Sequence, residues 1–149
     1  MDKSNFNLVK LFQVLVVIST LNYVILFFLP YFPEVFTPEV QKVLSYNGYG
    51  AVISSHLFIY GTVFLLWILS AIGMFFFQSY GRILFLVMYV LSILMIPFFG
   101  VAVSAPAESF MFAIGDTLDI AIIALAYFSP LSGYFKLRVT TQPKFRSID

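Results

Sequence analysis

Glu108-Ser-Phe-Met-Phe-Ala-Ile-Gly-Asp116-Thr-Leu-Asp119-Ile-Ala-Ile-Ile-Ala-Leu-Ala-Tyr-Phe-Ser-Pro130 decides how the whole chain is read. Without its two aspartates it is a membrane-spanning helix of ordinary composition, since about 20 apolar residues cross a hydrocarbon core about 30 Å thick. With them it carries acids where lipid would be. One charged side chain at the centre of a spanning helix costs about 2.5–3.5 kcal/mol on insertion scales. Residues three apart lie about 60° apart around a helix axis, so Asp116 and Asp119 share a face. That face is expected to turn away from lipid, toward other helices, another subunit or a water-filled cavity.

The rest of the chain has the same solvent. Of 149 residues, 61% are hydrophobic and only 10% charged, and the mean hydropathy is +0.99. Soluble domains are about 25% charged, so this chain cannot cover a water-facing surface. A net charge of +1 gives no global basic field for nucleic acid. The absence of cysteine excludes disulfides and thiol chemistry. A single histidine leaves no ligand set for structural zinc, and no metal or cofactor is expected.

Working outward, four apolar segments read as spans, at about 8–29, 51–77, 83–103 and 108–129. The first is long and lacks a small-residue cleavage site, so it reads as an uncleaved signal-anchor. Between the first two, Pro30, Pro33 and Pro38 interrupt helix. Thr37-Pro38-Glu39 then has the form of an N-cap with proline in the first turn, which predicts a short interfacial helix. Tyr31, Tyr46 and Tyr49 are expected at headgroup level. Gln78-Ser-Tyr-Gly-Arg82 is expected as a tight turn, and Pro97 with Gly100 as a kink within the third span. The fold class is an all-α integral membrane protein, an antiparallel four-helix bundle over residues 1–135. A cationic tail follows at 136–149.

Charge sets the expected orientation. Four spans put both termini and Arg82 on one side, with Lys3, Lys10, Lys136, Arg138, Lys144 and Arg146; the other side has Lys42 alone. The positive-inside rule then makes both termini cytoplasmic, and a bacterial inner membrane is the expected location. At that orientation Asn22, His56, Asp116 and Asp119 fall in the outer half of the bilayer or near its midplane. They could meet around one cavity.

Two roles compete for these groups. As an ionisable site, paired carboxylates in low dielectric titrate as a coupled unit, with His56 as partner or proton relay. As polar glue, Asp, Asn and His hydrogen-bond across helix contacts for about 0.6 kcal/mol each on average. Ala113, Thr117 and Ala121 form a small-residue stripe beside the acids, which permits close helix approach and points to a homo-oligomer through the fourth span. The basic residues Lys136, Arg138, Lys144 and Arg146 suit anionic lipid or a cytoplasmic protein partner.

Catalysis has little support. No GxSxG, HExxH, CxxC or Walker sequence occurs, and no nucleophile has a local signature. The expected function is that of a homo-oligomeric membrane subunit or sensor, non-enzymatic, acting with a cytoplasmic partner. A small proton- or cation-coupled transporter or channel using the Asp pair is the alternative.

Overall fold

A computed structural model describes residues 3–52 and 57–135. These residues are helical, with no strand among them. The helices are α1 (Lys3–Phe28), α2 (Pro38–Leu44), α3 (Leu57–Phe75), α4 (Ser79–Met95) and α5 (Pro106–Phe128). Three apolar stretches, Asn7–Tyr31, Ser79–Phe98 and Pro106–Phe128, are long enough to cross a membrane. The apolar part of α3, Ile59–Phe75, is shorter.

Local chemistry explains the helix ends. α1 stops where Pro30 follows: a proline disfavours helical backbone in the residue before it, and a 3-10 turn takes over at Leu29–Tyr31. Pro38 and Pro106 each begin a helix, where their missing N–H costs nothing. At α5 the Glu108 carboxylate also accepts the Ala105 backbone N–H at 2.7 Å, and its charge suits the helix N-terminus.

Contacts between helix ends fix the directions. Phe12, near the start of α1, meets Phe77 just beyond α3 and Phe135 just beyond α5. Phe27, near the end of α1, stacks on Phe64 at 4.0 Å. The Arg82 guanidinium at the start of α4 lies over the rings of Tyr127 (4.7 Å) and Phe135 (5.3 Å). Sequential long helices are therefore antiparallel. The core of this end is Phe12, Val16, Met74, Phe85, Ile122 and Phe135.

α3 and α4 form the tightest pair. The turn is Phe76-Phe77-Gln78, with the Gln78 N–H closing back to the Gly73 carbonyl at 2.8 Å. Phe77 sits at φ +54, a left-handed conformation unusual for a bulky residue. Its ring is held against Phe12, Tyr134 and Phe135 at 5.2–5.8 Å, which supplies the compensating contact. The expected turn at residues 78–82 is thus corrected: Ser79 already opens α4.

At the other end the helices stop short of the expected stretches. Pro97 does not kink a helix that continues to Val103; it lies in a 3-10 turn, Ile96–Phe98, that ends the helix. The reason is Gly100, at φ +75, where a Cβ would lie 2.5 Å from the Tyr49 oxygen. This glycine locks two loops together. The Gly48 N–H donates to the Val101 carbonyl at 2.8 Å, the Val101 N–H to Tyr49 at 3.0 Å and the Val52 N–H to Phe98 at 3.0 Å. Ala51 and Val52 are held in this loop rather than opening the second span, and the described part of α3 begins at Leu57.

Beside the apolar core the protein buries a polar seam, and its surface is apolar, unlike that of a water-soluble bundle. Ser19, Asn22, Ser70 and Asp119 are buried, while Leu11, Leu21, Leu65, Ile83, Leu94 and Phe110 are exposed. Apolar rims around a polar seam are what a bilayer solvent demands.

Candidate functional site

Asp119 is the centre of that seam, 1% exposed. Ser19 donates its hydroxyl to Oδ1 at 2.7 Å, and the Tyr23 hydroxyl donates to Oδ2 at 3.0 Å. Both donors come from α1, four residues apart on one helix face. They reach the carboxylate because Gly115, one turn before Asp119, has no side chain. A Cβ there would lie 2.9 Å from Asn22 Nδ2 and 3.4 Å from the Tyr23 hydroxyl. Asn22 uses the space to donate to the Met111 carbonyl at 3.0 Å, a second bond between α1 and α5.

Tyr23 also turns an aromatic face inward. Its ring lies 4.3 Å from that of Trp67, which in turn is 5.8 Å from Phe85. Beside them a cavity of about 290 Å³ opens within the bundle, lined by Asp119, Tyr23, Phe64, Trp67, Tyr89 and Phe112 among others. All four long helices contribute to it. Its wall is chiefly aromatic, with one carboxylate.

The predicted site residues divide accordingly. Asp119 of α5 and Asn22 of α1 lie in the same α1–α5 seam, each bonded to the other's helix. Asp116 does not: it is exposed and has no hydrogen-bond partner among the described residues. The two acids share one helix but have opposite environments. Ala113 and Thr117 are exposed and Ala121 is half-buried, whereas the face packed inside the protomer is Gly115, Asp119, Ile122 and Ala126. The Thr117 hydroxyl donates to the Ala113 carbonyl of its own helix at 2.8 Å. Pro97 and Gly100 belong to the loop lock, away from Asp119. His56 and the tail residues Lys136, Arg138, Lys144 and Arg146 lie outside the described residues.

Sequence reasoning missed Ser19, Tyr23 and Gly115. The signal was present as Ser19-Thr-Leu-Asn22-Tyr23, polar groups at i, i+3 and i+4 in an otherwise apolar span, which place one hydrogen-bonding stripe on α1. Among the described residues no group of three or more His, Asp or Glu stands close enough to hold a metal ion.

Protein-family models, curated proteins and solved structures give no match to this chain. Its class is set by its own features: an all-helical protein with three helices long and apolar enough to cross a membrane.

Proposed function

We propose that this chain is a non-enzymatic integral membrane protein, a binding subunit or sensor, whose working part is the Asp119 cavity. In this reading Asp119 receives a positively charged group inside the bundle. The observation that carries it is a buried carboxylate, held by two hydroxyls, at the wall of a cavity. Glue alone calls for the hydrogen bonds and not for the space beside them. An ionised carboxylate has about four acceptor positions. Ser19 and Tyr23 fill two, and those that remain are available to a cation. A charge in low dielectric needs such a partner.

The membrane arrangement belongs to the same proposal. α3 crosses as a fourth span; its exposed Val63, Leu65, Leu69 and Ile72 suit lipid contact. α2 lies at the interface, with exposed Tyr31, Tyr46 and Tyr49 around it. The Lys/Arg distribution supports cytoplasmic termini and a bacterial inner membrane. The outward Ala113 and Thr117 support a homo-oligomer, and the basic tail supports a cytoplasmic partner.

The test is labelling by dicyclohexylcarbodiimide, which reacts with protonated carboxyls in apolar surroundings. It is done on protein in lipid nanodiscs and read by peptide mass spectrometry. An Asp116→Asn background removes the exposed acid. Expected is an adduct on Asp119 that decreases as cations are added, because a bound cation needs the ionised form. An unlabelled Asp119, or labelling indifferent to every cation tried, overturns the reading. A carrier rather than a sensor would add proton or cation flux in proteoliposomes, lost in Asp119→Asn.

A further inference from the structure

We infer that the ligand of the Asp119 cavity is a small organic monoamine in its ammonium form, with an apolar, preferably aromatic, body. The inference rests on the reading of Asp119 as a cation site and adds the chemical class of the cation.

Size comes first. At about 290 Å³ the cavity lies at the small end of ligand pockets, which run about 300–1,000 Å³. A bare metal ion would leave most of that space empty. Hard divalent cations also require about six or more oxygen ligands at short range. Here one carboxylate faces a wall of Phe27, Tyr60, Phe64, Trp67, Tyr89 and Phe112. Rings of this kind suit a cation attached to carbon. Their faces attract an ammonium, most strongly when it is desolvated, and their bulk packs on its body.

Charge then sets the count. Among the described residues Asp119 is the only carboxylate that lines the cavity, so it neutralises one ammonium. Asp116 falls between Phe112 and Asp119 along the same strip of α5, but it is exposed and does not line the cavity.

Access completes the argument. α3 and α4 are in backbone contact at Gly73 and Gly81. α1 and α5 are tied at Asp119 and Met111, and α1 and α3 are closed by the Phe27–Phe64 stack. The remaining seam, between α4 and α5, is the least closely packed of the adjoining pairs. This seam opens on the outside of the bundle, so the way in passes through lipid. Apolar amines concentrate there; inorganic cations do not.

Trp67 is the single tryptophan of the chain and lines the cavity, so its fluorescence reports occupancy. Protein in phosphatidylcholine nanodiscs is titrated with 2-phenylethylamine, mostly protonated at neutral pH, and with 2-phenylethanol, its neutral isostere. Expected is a saturable change in Trp67 emission, with the amine favoured by about tenfold or more. That preference falls to about one in Asp119→Asn. Equal responses to amine and alcohol in the wild type overturn the inference without any need for the variant, and so does a preference that survives in a folded Asp119→Asn. The carbodiimide experiment separates the two levels. Protection of Asp119 by sodium or potassium but not by the amine removes the ligand class and leaves the cation site. Protection by none of them removes both.

Discussion

Gly73 and Gly81 meet backbone to backbone, so that a Cβ on Gly81 would lie 2.3 Å from the carbonyl carbon of Gly73. In a bilayer, lipid tails are as apolar as leucine, and helices associate through close packing rather than through release of water. A pair of glycines at the α3–α4 crossing is therefore where sequence converts most directly into stability. It also fixes the hairpin that brings Trp67 and Tyr89 to one cavity.

Gly81→Ala is accordingly expected to destabilise the protein by about 1–3 kcal/mol, the usual cost of overpacking. The atom it meets is backbone and cannot turn aside. Gly61→Ala in α3, where nothing lies within 4 Å, is the control and should change stability by no more than about 0.5 kcal/mol. Equilibrium unfolding in mixed micelles, as detergent denaturant is titrated in, measures both. Equal stability of the two variants would mean that the helices separate at no cost.

The Ser19–Asp119 bond bears on the charge of the site. Cross-helix hydrogen bonds in membranes average about 0.6 kcal/mol in double-mutant cycles and reach about 1.7. Bonds to an ionised acceptor are roughly twice as strong as neutral ones. A cycle of Ser19→Ala and Asp119→Ala, read by the same unfolding assay, is expected to give a coupling of about 0.6 kcal/mol without added cation, rising to about 1–1.7 kcal/mol when a bound cation keeps the acid ionised. A coupling near zero would detach Ser19 from the site. A coupling that added cation leaves unchanged would weaken the cation reading.

The helices were legible in the sequence because apolar length is a local signal, as are Pro30, Pro38 and Pro106 at three of the helix ends. The fate of the two acids was not legible. Spacing puts Asp116 and Asp119 on one face but leaves open how that face is rotated, and about 60° separates burial from exposure. Rotation is set by Gly115, Asn22 and Tyr23, whose partners lie on a helix some 90 residues away in sequence. Pro97 misled for a related reason. A proline alone is compatible with a kink or an end, and Gly100, locked against Tyr49 and Ala51, chooses the end. Phe77 carried no signal of its left-handed backbone, since glycine is the residue that usually marks such a turn.

Asp116 supplies the last test. An exposed acid on a spanning helix is costly, by about 2.5–3.5 kcal/mol near the centre, and a lone protomer leaves it uncovered. The neighbouring Ala113 and Thr117 are small, and Thr117 satisfies its own hydroxyl, so a second copy can approach closely here. The chain has no cysteine, which makes single introduced thiols unambiguous. Ala113→Cys and Thr117→Cys are expected to cross-link copies under mild oxidation in native membranes, because a disulfide needs Cβ atoms within about 3.5–4.5 Å. Leu65→Cys, on the 67% exposed outer face of α3, is expected to stay monomeric on a non-reducing gel. Cross-linking at Leu65 equal to that at Ala113 would indicate random collision. Its absence at both Ala113 and Thr117 would leave Asp116 to lipid or to another protein, and the homo-oligomer through α5 would fall.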